Sequence, residues 1–409
     1  MMKRVVTAII VLLVLTGVIM GREALTGSQD KPKETKAAEP GGCPVAEGNN
    51  RFAFDMLKSL QQEDRENSIF FSPYSISTAL SMLLNGASGE ARKEMAASLY
   101  YEGIDLDKLN KRQLALKKSL EKGGEKVELS IANSLWAHLG VVPKESFQKA
   151  LKEYYLSEFF TRDFSEKSVV GEINGWISDK TRGMIPAMLH DISPESIMFL
   201  INAIYFKGIW AKEFDPELTR EETFTDYKNK KGKAQMMHQT LSVAFRETEE
   251  YKAVRLPYGE GEAAMYIILP REGLGLNEFL DGLTRDKWET IIGSMYSEKI
   301  ELAIPKFKMS YGVKRLNDAL MRVGMEKIFY SGSLMNIMDD PRLFVEYVDH
   351  KAVIEVDEKG TKAAAVTIIS IGKSAYERPK EFIADRPFFF VIRDEKSGMI
   401  LFMGKVLSL

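Results

Sequence analysis

EVDEKGTKAAAVTIISIGKSAYER, residues 355–378, opens as an alternating strand pattern and runs into Glu358, Lys359, Gly360 and Thr361. Three alanines follow, Ala363, Ala364 and Ala365, then a β-branched run at 366–369, and no charge stands between Lys362 and Lys373. A stretch this rich in strand formers belongs in a sheet, yet turn-like and charged residues flank it as they would an exposed loop. Left in solvent, a long uncharged strand-prone segment invites aggregation unless it has a task. Thr361, Ala363, Ala365, Thr367 and Ile369 would share one face of a strand, and none is charged, so all five can be buried. The segment is suited to two states, a loop and a strand.

Outward from this stretch, apolar runs at 343–356, 388–393 and 399–406 read as strands closing the chain. Upstream, 127–138, 198–210 and 263–270 read as strands, and 300–309 alternates. Helical spacing marks 51–61, 147–158, 171–181 and 316–324; Ser72-Pro73 starts a further helix that runs to Gly86. Helices concentrate early and strands late, without βαβ alternation. That pattern predicts an α+β fold with large sheets.

The chain has 409 residues, 45% of them hydrophobic, enough for a large core. A net charge of −2 argues against a nucleic-acid partner, which would need a clustered basic surface. The single cysteine, Cys43, excludes an intramolecular disulfide. The four histidines are scattered without metal-ligand spacing, so neither a metal nor a cofactor is expected.

Residues 1–21 read as a targeting segment: positive charge at Lys3 and Arg4, then a 16-residue apolar run at 5–20. This length falls between a signal-peptide core and a membrane span. Cleaved export and a retained membrane anchor both remain open, and either places the domain outside the membrane. Residues 22–48 are polar and rich in Lys, Glu, Gly and Pro, a disordered linker with Cys43 as an inert thiol. Residues 49–409 show no second linker and no repeat, and form one domain.

Four long stretches together carry a resemblance. They are NSIFFSPYSISTALSMLLNGASGEARKEM (67–95), FLINAIYFKGIWAKEFD (199–215), VDHKAVIEVDEKGTKAAAVT (348–367) and FIADRPFFFVIRDEKSGMILFMGKV (382–406). In sequence and order they resemble the serpins, over residue 50 to the end. The resemblance implies three β-sheets, about nine helices and an exposed reactive-centre loop able to insert into the large sheet. It also implies a monomeric suicide inhibitor of a serine protease, or of a cysteine protease, with no enzymatic activity of its own. A protease attacks the loop and forms an acyl-enzyme; the cut loop then inserts as an extra strand and carries the protease to the far pole. Serpin loop insertion is itself a standard example of stored strain. The fourteen residues 361–374 would span about 46 Å at about 3.3 Å each.

Residue by residue, the resemblance implies a hinge at Glu358, Gly360, Thr361, Ala363, Ala364 and Ala365. Ser72, Ser75, Asn202 and His350 match the polar shutter beneath the sheet, and Trp210, Lys306 and Glu358 the breach where the loop first inserts. Counting forward from Glu358 puts the scissile bond at Ser374–Ala375, which suits a subtilisin- or elastase-like protease. Counting back from Pro387 gives Tyr376–Glu377, which suits a chymotrypsin-like one. Lys373 and Arg378 keep a trypsin-like target open. Lys362 departs from the acidic residue common at its position, but by alternation it points outward.

Two rival readings stand beside this one. Ser146–Lys149 fits the S-x-x-K pattern of penicillin-recognising hydrolases, but its companion motifs would overlap at 178–183. A serpin without inhibitory activity, acting as a carrier, chaperone or tethered binding protein, is the other.

Overall fold

Ser196–Gly208 (SIMFLINAIYFKG) is buried almost end to end, as an apolar strand covered on both faces must be. In the computed structural model this strand, β5, is central to a six-stranded sheet. The structure describes residues 8–16, 43–360 and 379–409, apart from positions 123, 125 and 194. The sheet runs in the order β11 (Phe307–Arg315), β12 (Phe344–Val356), β1 (Ala8–Thr16), β5, β3 (Val127–His138) and β4 (Glu158–Arg162). β1 is parallel to both its neighbours, so β12 and β5 share one direction, while β3 is antiparallel to β5.

A nine-stranded network packs against this sheet. Its order is β13 (Lys380–Ile383), β10 (Tyr296–Pro305), β7 (Lys231–Glu247), β8 (Tyr251–Tyr258), β9 (Ala263–Pro270), β14 (Phe388–Asp394), β15 (Ile400–Val406) and β2 (Ile69–Phe71), with β6 (Arg220–Thr225) on β7. The three expected sheets thus run as two hydrogen-bonded networks. The cause is β7, whose residues 231–236 pair with β6, 236–245 with β10 and 244–247 with β8. A strand this long passes from one layer into the next without breaking its ladder.

Nine α-helices lie among the described residues: α1 (Pro44–Glu63), α2 (Pro73–Leu84), α3 (Gly89–Ser98), α4 (Leu106–Leu120), α5 (Glu145–Tyr154), α6 (Ser168–Lys180), α7 (Leu276–Asp281), α8 (Arg285–Gly293) and α9 (Asn317–Arg322). None is long and apolar enough to cross a membrane. All twelve residues of α2 are buried, because it lies between β5 and β15. Phe206 against Phe402, with ring centroids 5.8 Å apart, and Phe307 against Phe390, at 5.5 Å, join the two sheets through the core.

Three boundaries differ from the periodic reading. α1 begins at Pro44 rather than near 51: Pro at the first helical position needs no hydrogen-bond partner for its nitrogen, and Val45 and Ala46 are buried. Cys43, expected in the linker, is the half-buried residue that caps this helix. The helix expected over 147–158 stops at Tyr154, because Leu156 takes a left-handed φ of 52° and Glu158 starts β4. The alternating run 300–309 divides at Lys306, where the chain leaves one sheet for the other.

Candidate functional site

β12 ends at Val356 and the chain turns back at once. Asp357 and Gly360 exchange backbone hydrogen bonds of 3.0 and 3.1 Å, closing a tight reversal. Gly360 has φ 124°, a conformation that L side chains rarely adopt. A Cβ there would stand 2.3 Å from the Gly208 carbonyl oxygen and 2.7 Å from the Trp210 nitrogen. Gly360 forms an antiparallel bridge with Ile209, just beyond the end of β5. The chain therefore leaves β12 already reversed and already paired with the continuation of β5.

Trp210 secures this corner. Its indole stacks on Tyr258 at 4.4 Å and 9°, and meets Phe214 edge-on at 6.2 Å. The indole Nε1–H donates to the Asp357 carbonyl at 3.0 Å, and the Trp210 backbone N–H donates to the Lys359 carbonyl at 3.0 Å. Glu358, 8% exposed, accepts from Lys306 Nζ at 2.8 Å on Oε2, and from Thr219 Oγ1 at 2.9 Å on Oε1. Burial works to raise the Glu358 pKa, but the Lys306 ammonium and the Thr219 hydroxyl outweigh it and hold the carboxyl below its ordinary value. Trp210, Lys306 and Glu358, which the resemblance implies as one group, are together. Thr219 and Tyr258 were not foreseen.

About the middle of the sheet lies a second polar group. Ser72 caps α2: its Oγ accepts from the Ser75 backbone N–H at 3.1 Å and donates to the Leu401 carbonyl at 2.6 Å. The Ser72 backbone N–H donates to His350 Nε2 at 3.2 Å. Ser75 Oγ donates to Asn202 Oδ1 at 2.6 Å, and Asn202 Nδ2 donates to Asn133 Oδ1 at 2.7 Å. Asn133 Nδ2 in turn donates to the Tyr155 carbonyl at 2.7 Å. The four predicted residues meet as one cluster on α2, β5 and β12, and Asn133 extends it into β3. Asn133 had a signal in the sequence, a lone amide among apolar positions of a strand.

His350 is fully buried, and burial pushes its pKa down to about 3. Its Nε2 accepts a hydrogen bond, so the proton of the neutral ring sits on Nδ1, which has no partner among the described residues. The ring is a neutral acceptor that ties α2 to β12. Asn202 and His350 stand on the two strands that flank β1. Thr361, Ala363, Ala364, Ala365, Ser374, Ala375, Tyr376 and Glu377 lie outside the described residues.

The comparisons with known proteins agree with this geometry. Residues 47–409 match the serpin (serine protease inhibitor) family. The chain belongs to the serpin family. It is 34% identical to a serpin-like protein of Thermococcus kodakarensis, over 100% of this chain and 99% of that one. Serpin B3 of Homo sapiens is 32% identical, over 89% of this chain and 99% of that protein. Among solved structures, the thermophilic serpin tengpin in its native state superposes with a TM-score of 0.81 at 31% identity, covering 92% of this serpin and 96% of that chain. Human thyroxine-binding globulin complexed with thyroxine gives 0.80 at 28% identity, covering 89% of this chain and 98% of that one. Serpins are in general protease inhibitors, not enzymes, and the fold of this one is theirs.

Proposed function

We propose that this serpin inhibits a serine protease by suicide trapping. The observation that carries the reading is the antiparallel bridge between Gly360 and Ile209, which pairs the chain leaving β12 with the continuation of β5. The target serine Oγ attacks the carbonyl carbon of Ser374. The bond to Ala375 breaks, the Ala375 amine leaves with a proton, and an ester joins protease and inhibitor. The cut segment then extends the pairing begun at Gly360 and draws the protease along the sheet. Small uncharged residues at 361 and 363–365 support this, since an unpaired charge there would cost several kcal/mol to bury.

The protease is of the subtilisin- or chymotrypsin-like class, according to which bond is cut. The inhibitor acts as a monomer outside a membrane, either exported or held by the apolar segment at 5–20. The test is to mix the full chain with subtilisin and, separately, with chymotrypsin, and to analyse the products by denaturing gel and mass spectrometry. An SDS-stable band at the summed mass supports trapping, and the released C-terminal peptide names the bond. A clean cut without a covalent band, for every serine and cysteine protease tried, turns the reading to a carrier or tethered binding protein.

A further inference from the structure

The apolar N-terminal segment has a second place besides a membrane. Ala8–Thr16, AIIVLLVLT, is β1, seated between β5 and β12 and hydrogen-bonded to both. Val11 stands opposite Leu200 and Val348, and Leu13 opposite Asn202 and His350. Its eight apolar residues in a row, without charge, suit a strand at the centre of a sheet. Twenty-six residues, 17–42, connect it to Cys43 and α1, about 86 Å of chain when extended, ample to return from the sheet.

The strand that trapping requires would use the same rungs. From the bridge of Gly360 with Ile209, each step back along β5 matches one step forward in the loop. A loop inserted in that register would bring Ala364 opposite Tyr205, Thr367 opposite Asn202 and Lys373 opposite Ser196. In the structure those three residues of β5 pair with Thr16, Leu13 and Ala8. Neighbouring strands lie about 4.8 Å apart, so a gap opened by one strand admits one strand.

We propose that Ala8–Thr16 is a built-in occupant of the β5–β12 slot that delays reactive-loop insertion until the segment is withdrawn or removed. The inference rests on the trapping mechanism proposed above. β1 is displaceable: it pairs parallel on both sides, slightly the weaker arrangement per residue, whereas the loop would pair antiparallel. It also brings an apolar residue to the rung of Asn202 and His350, where the loop would bring Thr367. Delay matters because an acyl-enzyme left waiting is hydrolysed, and the inhibitor is then consumed as a substrate.

The test uses the full chain with Cys43→Ser, Val14→Cys and Ala203→Cys. Val14 and Ala203 are direct partners across β1 and β5, within the reach of a disulfide. The folded protein is oxidised and mapped by mass spectrometry, then challenged with the protease before and after reduction. The expected result is a 14–203 cross-link. The oxidised protein should be cut with little covalent complex, and reduction should raise the trapped fraction about tenfold, equivalent to about 1.4 kcal/mol on the insertion step. A second variant, Leu13→Asp, should raise the trapped fraction of the full chain in the same direction. Failure of the cross-link to form in native protein, or equal trapping by oxidised and reduced forms, overturns the proposal. If neither form traps protease, the trapping mechanism falls and occupancy is judged by melting temperature after loop cleavage. A rise in the reduced form alone supports β1 as the occupant, and equal behaviour of the two forms overturns it.

Discussion

Gly360 and Ile209 form an antiparallel bridge across the mouth of the slot between β12 and β5, with Gly360 at φ 124°. No side chain fits there, since a Cβ would press on the Gly208 carbonyl and the Trp210 nitrogen at once. Gly360→Ala is expected to destabilise the native protein by about 1–3 kcal/mol, the usual range for a residue forced into such backbone. The turn would open, and trapping would slow. Urea denaturation reads the first effect and the rate of covalent-complex formation the second; wild-type values for both would refute the role given to this bridge.

Thr361 comes immediately after that bridge and would be the first residue to pair with Gly208. Thr361→Arg should convert the inhibitor into a substrate, because a guanidinium cannot be buried unpaired as the strand forms. The ratio of cleaved to complexed inhibitor on a denaturing gel measures this. An unchanged ratio would mean that insertion does not begin here.

Lys306 neutralises Glu358 at the breach, and its removal should weaken the local pH response. In the wild type the Glu358 pKa is lowered, so the pair adds stability above pH 4.5 that is lost as pH falls through the folded-state value. In Lys306→Met the Thr219 hydroxyl is left to oppose burial without the ammonium, so the Glu358 pKa rises from its lowered value and the stability held above pH 4.5 shrinks. Melting temperatures from acid to neutral pH, on both sides of 4.5, should show a lower Tm for the variant at the neutral end and convergence in acid.

His350 gives a second test, from a base. Burial lowers its pKa from 6.5 to about 3, so between those values the unfolded chain binds the extra proton. The ring's contribution to stability is whole above pH 6.5 and declines by about 1.4 kcal/mol per unit as pH falls toward 3. His350→Gln should flatten this slope by one proton while loosening the tie between α2 and β12. His350→Ala should go further and favour latent or polymeric forms on ageing, visible on a native gel. A parallel pH profile in the Gln variant would show that His350 is not the titrating group.

Asn133 links β3 to β5 at the rung of Asn202. Asn133→Ala should leave both Asn202 Nδ2 and the Tyr155 carbonyl short of a partner, a cost of about 1–3 kcal/mol for a buried polar group. Equilibrium denaturation at neutral pH is the measurement, and a change below half that range would show that the cluster relaxes around the gap.

Much of this was legible in the residues. Val127–His138 and Ala263–Pro270 have the bounds that their apolar pattern marks, and Ser72-Pro73 announces α2 by its own capping chemistry. These are local signals, set by side-chain spacing within one element. The pairings of Ser72 and Ser75 with His350 and Asn202, and of Lys306 with Glu358, came from resemblance and are present as hydrogen bonds. Other features have no local signal. β7 is a strand whose burial changes pattern as it passes between layers.

By itself, the sequence determined which segments are strands and helices where the apolar period is strong. Only the tertiary structure decided that Asn133 faces Asn202, that Tyr258 lies under Trp210, that Thr219 reaches Glu358, and that Ala8–Thr16 stands between β5 and β12. Each of these joins residues far apart in the chain. Pairing register and the packing of one layer on another create such contacts, and neither is written in the spacing of any single segment.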